Sequence, residues 1–272
     1  TNFKENFIHY INNDFNLLLL NYSCILYNPQ GCLISNKRKI TLEDRSKYKI
    51  TSTGERSYLF QVLIGLMLGD GHVHKNKSRS LLKKQVGKRT LNSRFQYAQA
   101  TIRVEYLFFI YSIFSNYCSV RPHYYSTYHK KFQQFNTGYY FNTMTLPCFN
   151  LFRDIFYDEE GTKIVPTNIY SLLTPISLAF FISDDGTYHI RDKYLILCTD
   201  NFSNLDVHRL IFVLESKFNL KCRTEKKNNN LRIAIKSSSM DHLRFLVKDH
   251  MHPSMLYKLG LPTNKLLSLP VI

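Results

Sequence analysis

Leu63-Ile-Gly-Leu-Met-Leu-Gly-Asp-Gly71 is a nine-residue stretch in which an apolar run closes on Asp70 and Gly71. The same form returns 115 positions further on as Leu178-Ala-Phe-Phe-Ile-Ser-Asp-Asp-Gly186. One copy alone reads as an ordinary helix terminus; two copies of equal length mark an internal duplication. Small residues stand four apart in each, Gly65 with Gly69 and Ala179 with Ser183. Each helix thus has a stripe that admits unusually close backbone approach. Helices packed along these stripes bring Asp70 and Asp185 together at their carboxyl ends. Two carboxylates so placed repel unless a divalent cation lies between them, which suits metal-assisted hydrolysis of phosphate esters.

The sequence around each copy is also alike. Thr174 is an N-cap and Pro175 a first helical residue for a helix running to about Asp185, with Gly186 as its stop. Strands are expected near Thr187–Arg191 and Leu195–Thr199. Ser203 and Asp206 resemble a capping box for a helix that places Val207, Leu210, Ile211, Leu214 and Phe218 on one face. A hairpin follows around Lys227–Asn230, with Leu231, Ile233 and Ile235 on one side of its second strand and Arg232, Ala234 and Lys236 on the other. A last helix starts near Met240. In the first copy the pattern predicts a helix from about Thr53 to Gly69, then strands at His72–Lys75 and Arg94–Gln99 around a basic insertion, Lys77–Arg89. Next come a helix over Val104–Tyr117, strands at Pro122–Lys131 and Phe135–Met144, and a helix over Pro147–Phe156. The implied fold class is α+β, divided into an N-terminal extension of unassigned role over 1–50, a first repeat over 51–165 and a second over 166–272.

Net charge is +16 and the sequence pI about 9.5, as expected of a chain that binds a polyanion by releasing condensed counterions. Between Gly71 and Arg153 the single acid Glu105 faces thirteen Lys and Arg residues, more than solubility requires. The most apolar stretches, Leu59–Gly69 and Leu172–Ile182, are too short to span a bilayer. Six cysteines without C-x-x-C spacing read as reduced core residues, pointing to an intracellular or organellar compartment. The chain begins with Thr and shows no signal peptide, consistent with a fragment of a longer reading frame. The absence of Trp and the wealth of Ile, Asn, Lys, Tyr and Phe fit an AT-rich genome such as an organelle's.

Leu63–Gly71 and Leu178–Gly186 together resemble the paired motifs of single-chain LAGLIDADG homing endonucleases encoded by organellar group I introns, over roughly residues 53–260. The resemblance implies two pseudo-symmetric αββαββα repeats whose saddle-shaped antiparallel sheets lie in the DNA major groove. It makes Asp70 and Asp185 the catalytic, metal-binding acids, with Gly69 and Asp184 beside them in the metal site. Asp184 is expected mainly as a helix-end or supporting group. Lys163 and Lys258, near the ends of the two repeats, match active-site lysines that polarise water or offset phosphate charge. The implied cofactor is Mg2+, with Mn2+ able to substitute. The implied partner is double-stranded DNA with a long asymmetric site, bound by a monomer in the mitochondrion or another organelle. The motifs depart from the family's pattern at Leu68, Ser183, Asp184 and Phe180, and Phe180 predicts an asymmetric helix interface.

Candidates for DNA contact are Lys75, Lys77, Arg79, Lys83, Lys84 and Lys88 on the phosphates, with Arg94, Gln96, His123, Tyr125, Lys130, Arg191, Lys193, Arg223, Arg232 and Lys236 along the strands. His72 and His74 alternate after the first motif and invite a metal reading, but strand positions facing DNA explain them equally well, and without zinc-type or HNH-type spacing the metal is left to the aspartates. The same family includes maturases that bind intron RNA to assist splicing, and basic charge serves both activities. Retention of both aspartates favours the nuclease over a maturase or a silent DNA-binding regulator.

Overall fold

In the computed structural model, residues 47–54, 57–75, 92–228 and 230–263 are described. Most of the expected N-terminal extension, and Lys77, Arg79, Lys83, Lys84 and Lys88 of the basic insertion, lie outside these residues.

The first repeat opens with α1 (Ser57–Leu68), followed by β1 (His72–Lys75), β2 (Ser93–Ala100), α2 (Val104–Phe114), β3 (His123–His129), β4 (Gln134–Asn142) and α3 (Asn150–Phe156). A short helix α4 (Ile169–Leu172) leads into the second repeat: α5 (Pro175–Asp185), β5 (Gly186–His189), β6 (Tyr194–Leu197), α6 (Asn204–Phe218), β7 (Cys222–Lys227), β8 (Asn230–Ile235) and α7 (Met240–Val247). A 3-10 helix over Pro253–Leu259 closes it. The two antiparallel sheets have matching orders, β1-β2-β4-β3 and β5-β6-β8-β7. The internal duplication read from the nine-residue motifs is therefore one of whole αββαββα units.

The physical causes are those the sequence displays. Thr174 caps α5 by accepting the Ser177 amide at 3.2 Å, and Ser203 caps α6 by accepting the Asp206 amide at 3.2 Å. In β2 the apolar Phe95 and Tyr97 are buried while Arg94 and Gln96 are part-exposed, a two-residue period that sets one sheet face on the core. The expected helices at Val104–Tyr117 and Pro147–Phe156 are each part 3-10, at Ser115–Tyr117 and Pro147–Phe149.

α1 and α5 cross at the centre, and most residues of both are buried. A Cβ on Gly65 would stand 2.3 Å from the Ser177 carbonyl oxygen and 2.8 Å from Phe180 Cβ, and one on Gly69 would stand 2.5 Å from Asp184 Cβ. The close approach predicted from the small residues is present, but Ser177, Phe180 and Asp184 of α5 receive the glycines, in place of the expected Ala179–Ser183 stripe. Positions 177, 180 and 184 follow one helix face at i, i+3 and i+7. Ser183 instead bonds its own helix, Oγ donating to the Ala179 carbonyl at 2.8 Å. Phe180 gives the unequal interface its sequence implied, leaning on Gly65 and stacking on Phe109 of α2 with ring centroids 6.3 Å apart.

Gly186 ends α5 without the left-handed conformation usual at helix stops, its φ being −72°. Glycine is needed there for space. A Cβ would lie 2.5 Å from the Ile182 carbonyl oxygen, as one on Gly71 would lie 2.6 Å from that of Leu66.

Candidate active site at the paired helix ends

The two motif aspartates sit where α1 and α5 end side by side. Asp185 is the last residue of α5, and Asp70 follows α1 across Gly69. Burial raises the Asp185 carboxyl to about 7, with the neighbouring Asp70 charge pushing the same way against Lys163, Lys258 and Arg103. Each lysine reaches the backbone beside one aspartate. Lys163 Nζ donates to the Gly69 and Gly71 carbonyls at 2.6 and 2.9 Å, and Lys258 Nζ donates to the Asp184 carbonyl at 2.5 Å. The two ammonium groups thus hold equivalent places, on the carbonyl that precedes each motif aspartate. Burial lowers both lysines to about 8.

Asp184 and Gly69 act differently from the simplest metal-ligand expectation. The Asp184 carboxylate accepts the Tyr97 hydroxyl at 2.6 Å and the Asp70 amide at 3.0 Å. Its side chain is therefore taken up within the protein, and burial with the Asp70 charge raises its carboxyl well above the usual range. The Gly69 carbonyl is likewise held by Lys163. The residues unforeseen at the site are Tyr97, Gln99 and Arg103. Gln99 Nε2 donates to Asp70 Oδ2 at 2.7 Å and to Tyr97 Oη at 2.9 Å, while Arg103 Nη1 donates to Gln99 Oε1 at 3.4 Å.

Among the described residues no group of three or more His, Cys, Asp and Glu side chains forms a metal cage on its own. His72 is not in one; its Nδ1 lies 2.9 Å from the Tyr157 hydroxyl. The acidic pair still suits a divalent cation. Two carboxylates brought together by helix packing, one of them raised to about 7, favour a positive charge between them.

The segment carrying Lys258 depends on a neutral histidine. The backbone amide of Ser254 donates to His252 Nδ1 at 3.3 Å, capping the Pro253–Leu259 turn. Burial lowers His252 from 6.5 to about 4. Because the folded value is depressed, this contribution is complete above pH 6.5 and is lost as pH falls toward 4, up to about 3 kcal/mol. Thermal melts between pH 7 and 4 are expected to fall more steeply for the wild type than for His252→Asn, whose cap does not titrate. Parallel curves would contradict this.

Register assigns the outer faces of the sheets. In the first sheet His72 pairs with Gln96, His74 with Arg94, Gln96 with Asn142, His123 with Tyr140 and Tyr125 with Gly138, so these share the face away from the core. Among the described residues, three of the four buried side-chain polar atoms without a hydrogen bond, Arg94 Nε, His129 Nδ1 and Asn142 Oδ1, belong to that face. Such atoms cost free energy until water or a ligand completes them. In the second sheet Arg223, Glu225 and Arg232 share the outer face with Ala234. Arg223 pairs with Glu225 at 2.6 Å and Arg232 with Asp200.

Five of the basic candidates sit elsewhere than on an outer strand face. Lys75 pairs with Ser93, on the core-side parity of its strand, because it lies an odd number of residues from His74. Lys130 lies in the β3–β4 turn, and Arg191 and Lys193 in the β5–β6 turn, because those strands stop at His129 and His189. Lys236 stands just beyond β8.

Residues 60–243 match the model of the LAGLIDADG DNA endonuclease family, and the chain belongs to that family. It is 31% identical over 212 residues to cytochrome b mRNA maturase bI2 of Saccharomyces cerevisiae, an alignment covering 74% of this chain and 47% of that protein, so the chain spans about half the relative's length. It is 26% identical over 213 residues to DNA endonuclease I-ChuI of Chlamydomonas applanata, covering 73% of this chain and 93% of the other. Its fold is that of the homing endonuclease I-WcaI bound to its DNA recognition sequence, with a TM-score of 0.70, 22% identity, and coverage of 84% of this chain and 95% of that one.

Proposed function

We propose that this chain is a site-specific DNA endonuclease that hydrolyses one phosphodiester on each strand of a long duplex site, as a monomer with both centres in one chain. The observation that carries this reading is the matched placement of Asp70 with Lys163 and Asp185 with Lys258 at the paired helix ends, between two sheets of the same topology. Asp70 and Asp185 would hold Mg2+, or Mn2+ in its place, which when bound supplies Lewis acidity at the scissile phosphate. Lys163 and Lys258 hold positive charge beside the two aspartates and offset charge that develops on the phosphate. The outer faces of the sheets supply contacts to the grooves, with Arg94, Gln96, His123, Tyr125, Arg223 and Arg232 placed to read base edges or phosphates. Turn residues Lys130, Arg191 and Lys193, together with Lys75, Lys236 and the basic insertion, suit phosphates. Because the faces differ in sequence, the target is asymmetric. Relatives named for cytochrome b mRNA or as intron-encoded endonucleases support an organellar location.

A plasmid carrying the joined exons that flank the encoding gene is the substrate to test. With Mg2+ the chain is expected to convert it to a linear form, and a plasmid with the intron in place is expected to survive. A second reading, assistance to splicing of intron RNA, is favoured by relatives at 31% and 30% identity that are named maturases. A chain that binds the joined-exon DNA without cutting it, and promotes splicing of its intron, would establish that reading instead.

A further inference from the structure

The seventh of the nine motif positions holds Gly69 in the first copy and Asp184 in the second, and the two face each other across the helix pair. Asp184 reaches into the space that glycine leaves and grips the other repeat. It takes the Asp70 amide at 3.0 Å and the Tyr97 hydroxyl at 2.6 Å. Gln99 Nε2 closes a ring by donating to Tyr97 Oη at 2.9 Å and to Asp70 Oδ2 at 2.7 Å. Asp70 is thereby fixed at both its backbone and its carboxylate. Tyr97, Asp184 and Gln99 are shielded from solvent, exposed by 0%, 3% and 4%, and only Asp70 of the ring is open to it.

Among the described residues the second repeat has no such ring. Gln96 and Ile196 each pair with the second residue after a motif aspartate, His72 and Thr187 respectively, which aligns Tyr97 with Leu197 and Gln99 with Thr199. Leu197 has no hydroxyl to offer. Thr199 Oγ1 is spent on the Leu231 carbonyl at 2.8 Å. Gly69 has no side chain with which to return the contact Asp184 makes. A carboxylate already locked in place loses less freedom on the way to the transition state, and small misplacements at such centres cost large factors in rate.

We infer that Asp184 and Tyr97 are positioning residues for Asp70, acting with Gln99, and that the two strands are therefore cut at unequal rates, the strand served by Asp70 first. This rests on the nuclease reading above. The test is single-turnover cleavage, with Mg2+, of a joined-exon duplex labelled on each strand in turn. The wild type is expected to cut one strand severalfold faster and to pass through a nicked duplex. Tyr97→Phe, Asp184→Asn and the near-isosteric Gln99→Met are expected to slow the faster strand about tenfold more than the slower one. Thr199→Val, at the equivalent place in the second repeat, is expected to keep the wild-type strand ratio. Melting curves identify any variant that fails to fold, and the remaining ones decide the matter. Equal slowing of both strands, which a merely structural role would give, overturns the inference, as does a Thr199→Val ratio that shifts like the others. A wild-type chain that binds the duplex and cuts neither strand overturns the nuclease reading and this inference with it.

Discussion

Asp70→Asn and Asp185→Asn are each expected to abolish double-strand cleavage, lowering its rate by about 10³-fold or more, while affinity for the joined-exon DNA changes less than tenfold. A cation at a phosphoryl centre contributes several kcal/mol to the transition state, and every 1.4 kcal/mol is roughly a factor of ten. Asparagine keeps the shape of the side chain and removes its charge. Both positions sit where α1 and α5 end against each other, and burial together with the Asp70 charge already disfavours ionised Asp185. The Asn variants are therefore expected to melt no lower than the wild type in the absence of metal. A paired measurement of plasmid cleavage and melting temperature checks this. Cleavage at the wild-type rate in either variant would remove that carboxylate from the chemistry. Loss of cleavage accompanied by unfolding would assign it to the scaffold.

The second large effect concerns stability. Gly65→Val is expected to destabilise the chain by about 3 kcal/mol, the upper range for overpacking a filled interior. Even a bare Cβ at this position would stand 2.3 Å from the Ser177 carbonyl oxygen, and backbone in the capped first turn of α5 cannot yield as a side-chain tip can. The helices would have to separate, shifting the aspartates relative to each other, so activity should fall along with stability. A melting temperature lower by roughly 6–12 °C is the corresponding signal for a domain of this size. A Gly65→Val chain that melts with the wild type would mean that the central helices pack less closely than described.

The sequence exposes the fold where one physical rule acts alone. The duplicated apolar run, the Thr174 and Ser203 caps and the alternation in β2 each follow from local period or local hydrogen bonding, and each is found as expected. The site is less legible because its parts meet across the helix pair. Asp70, Asp185, Lys163 and Lys258 can be named from motif and position. Gln99 cannot be assigned a role so easily, although it leaves a trace: it is a long polar residue on the core-facing parity of a strand, where it follows Ser93, Phe95 and Tyr97. A buried amide at such a position calls for a partner, and the partner here, Asp70, is brought to it by tertiary packing. The same reason hides the role of Asp184. Only the helix crossing shows that Gly69 clears the space its carboxylate fills. Strand-end candidates such as Lys130, Arg191 and Lys193 fall in turns because the hairpins close earlier than alternation of side chains suggests.

Asp70 and Asp185, delivered by two closely crossed helices, are proposed to share divalent metal at the DNA backbone. Anomalous scattering from crystals of the chain bound to its joined-exon duplex and grown with Mn2+ tests it most directly. Manganese is expected on the carboxylates of residues 70 and 185 and on a DNA phosphate. Manganese held by other side chains, or a protein–DNA complex whose scissile phosphates lie away from both aspartates, would contradict it.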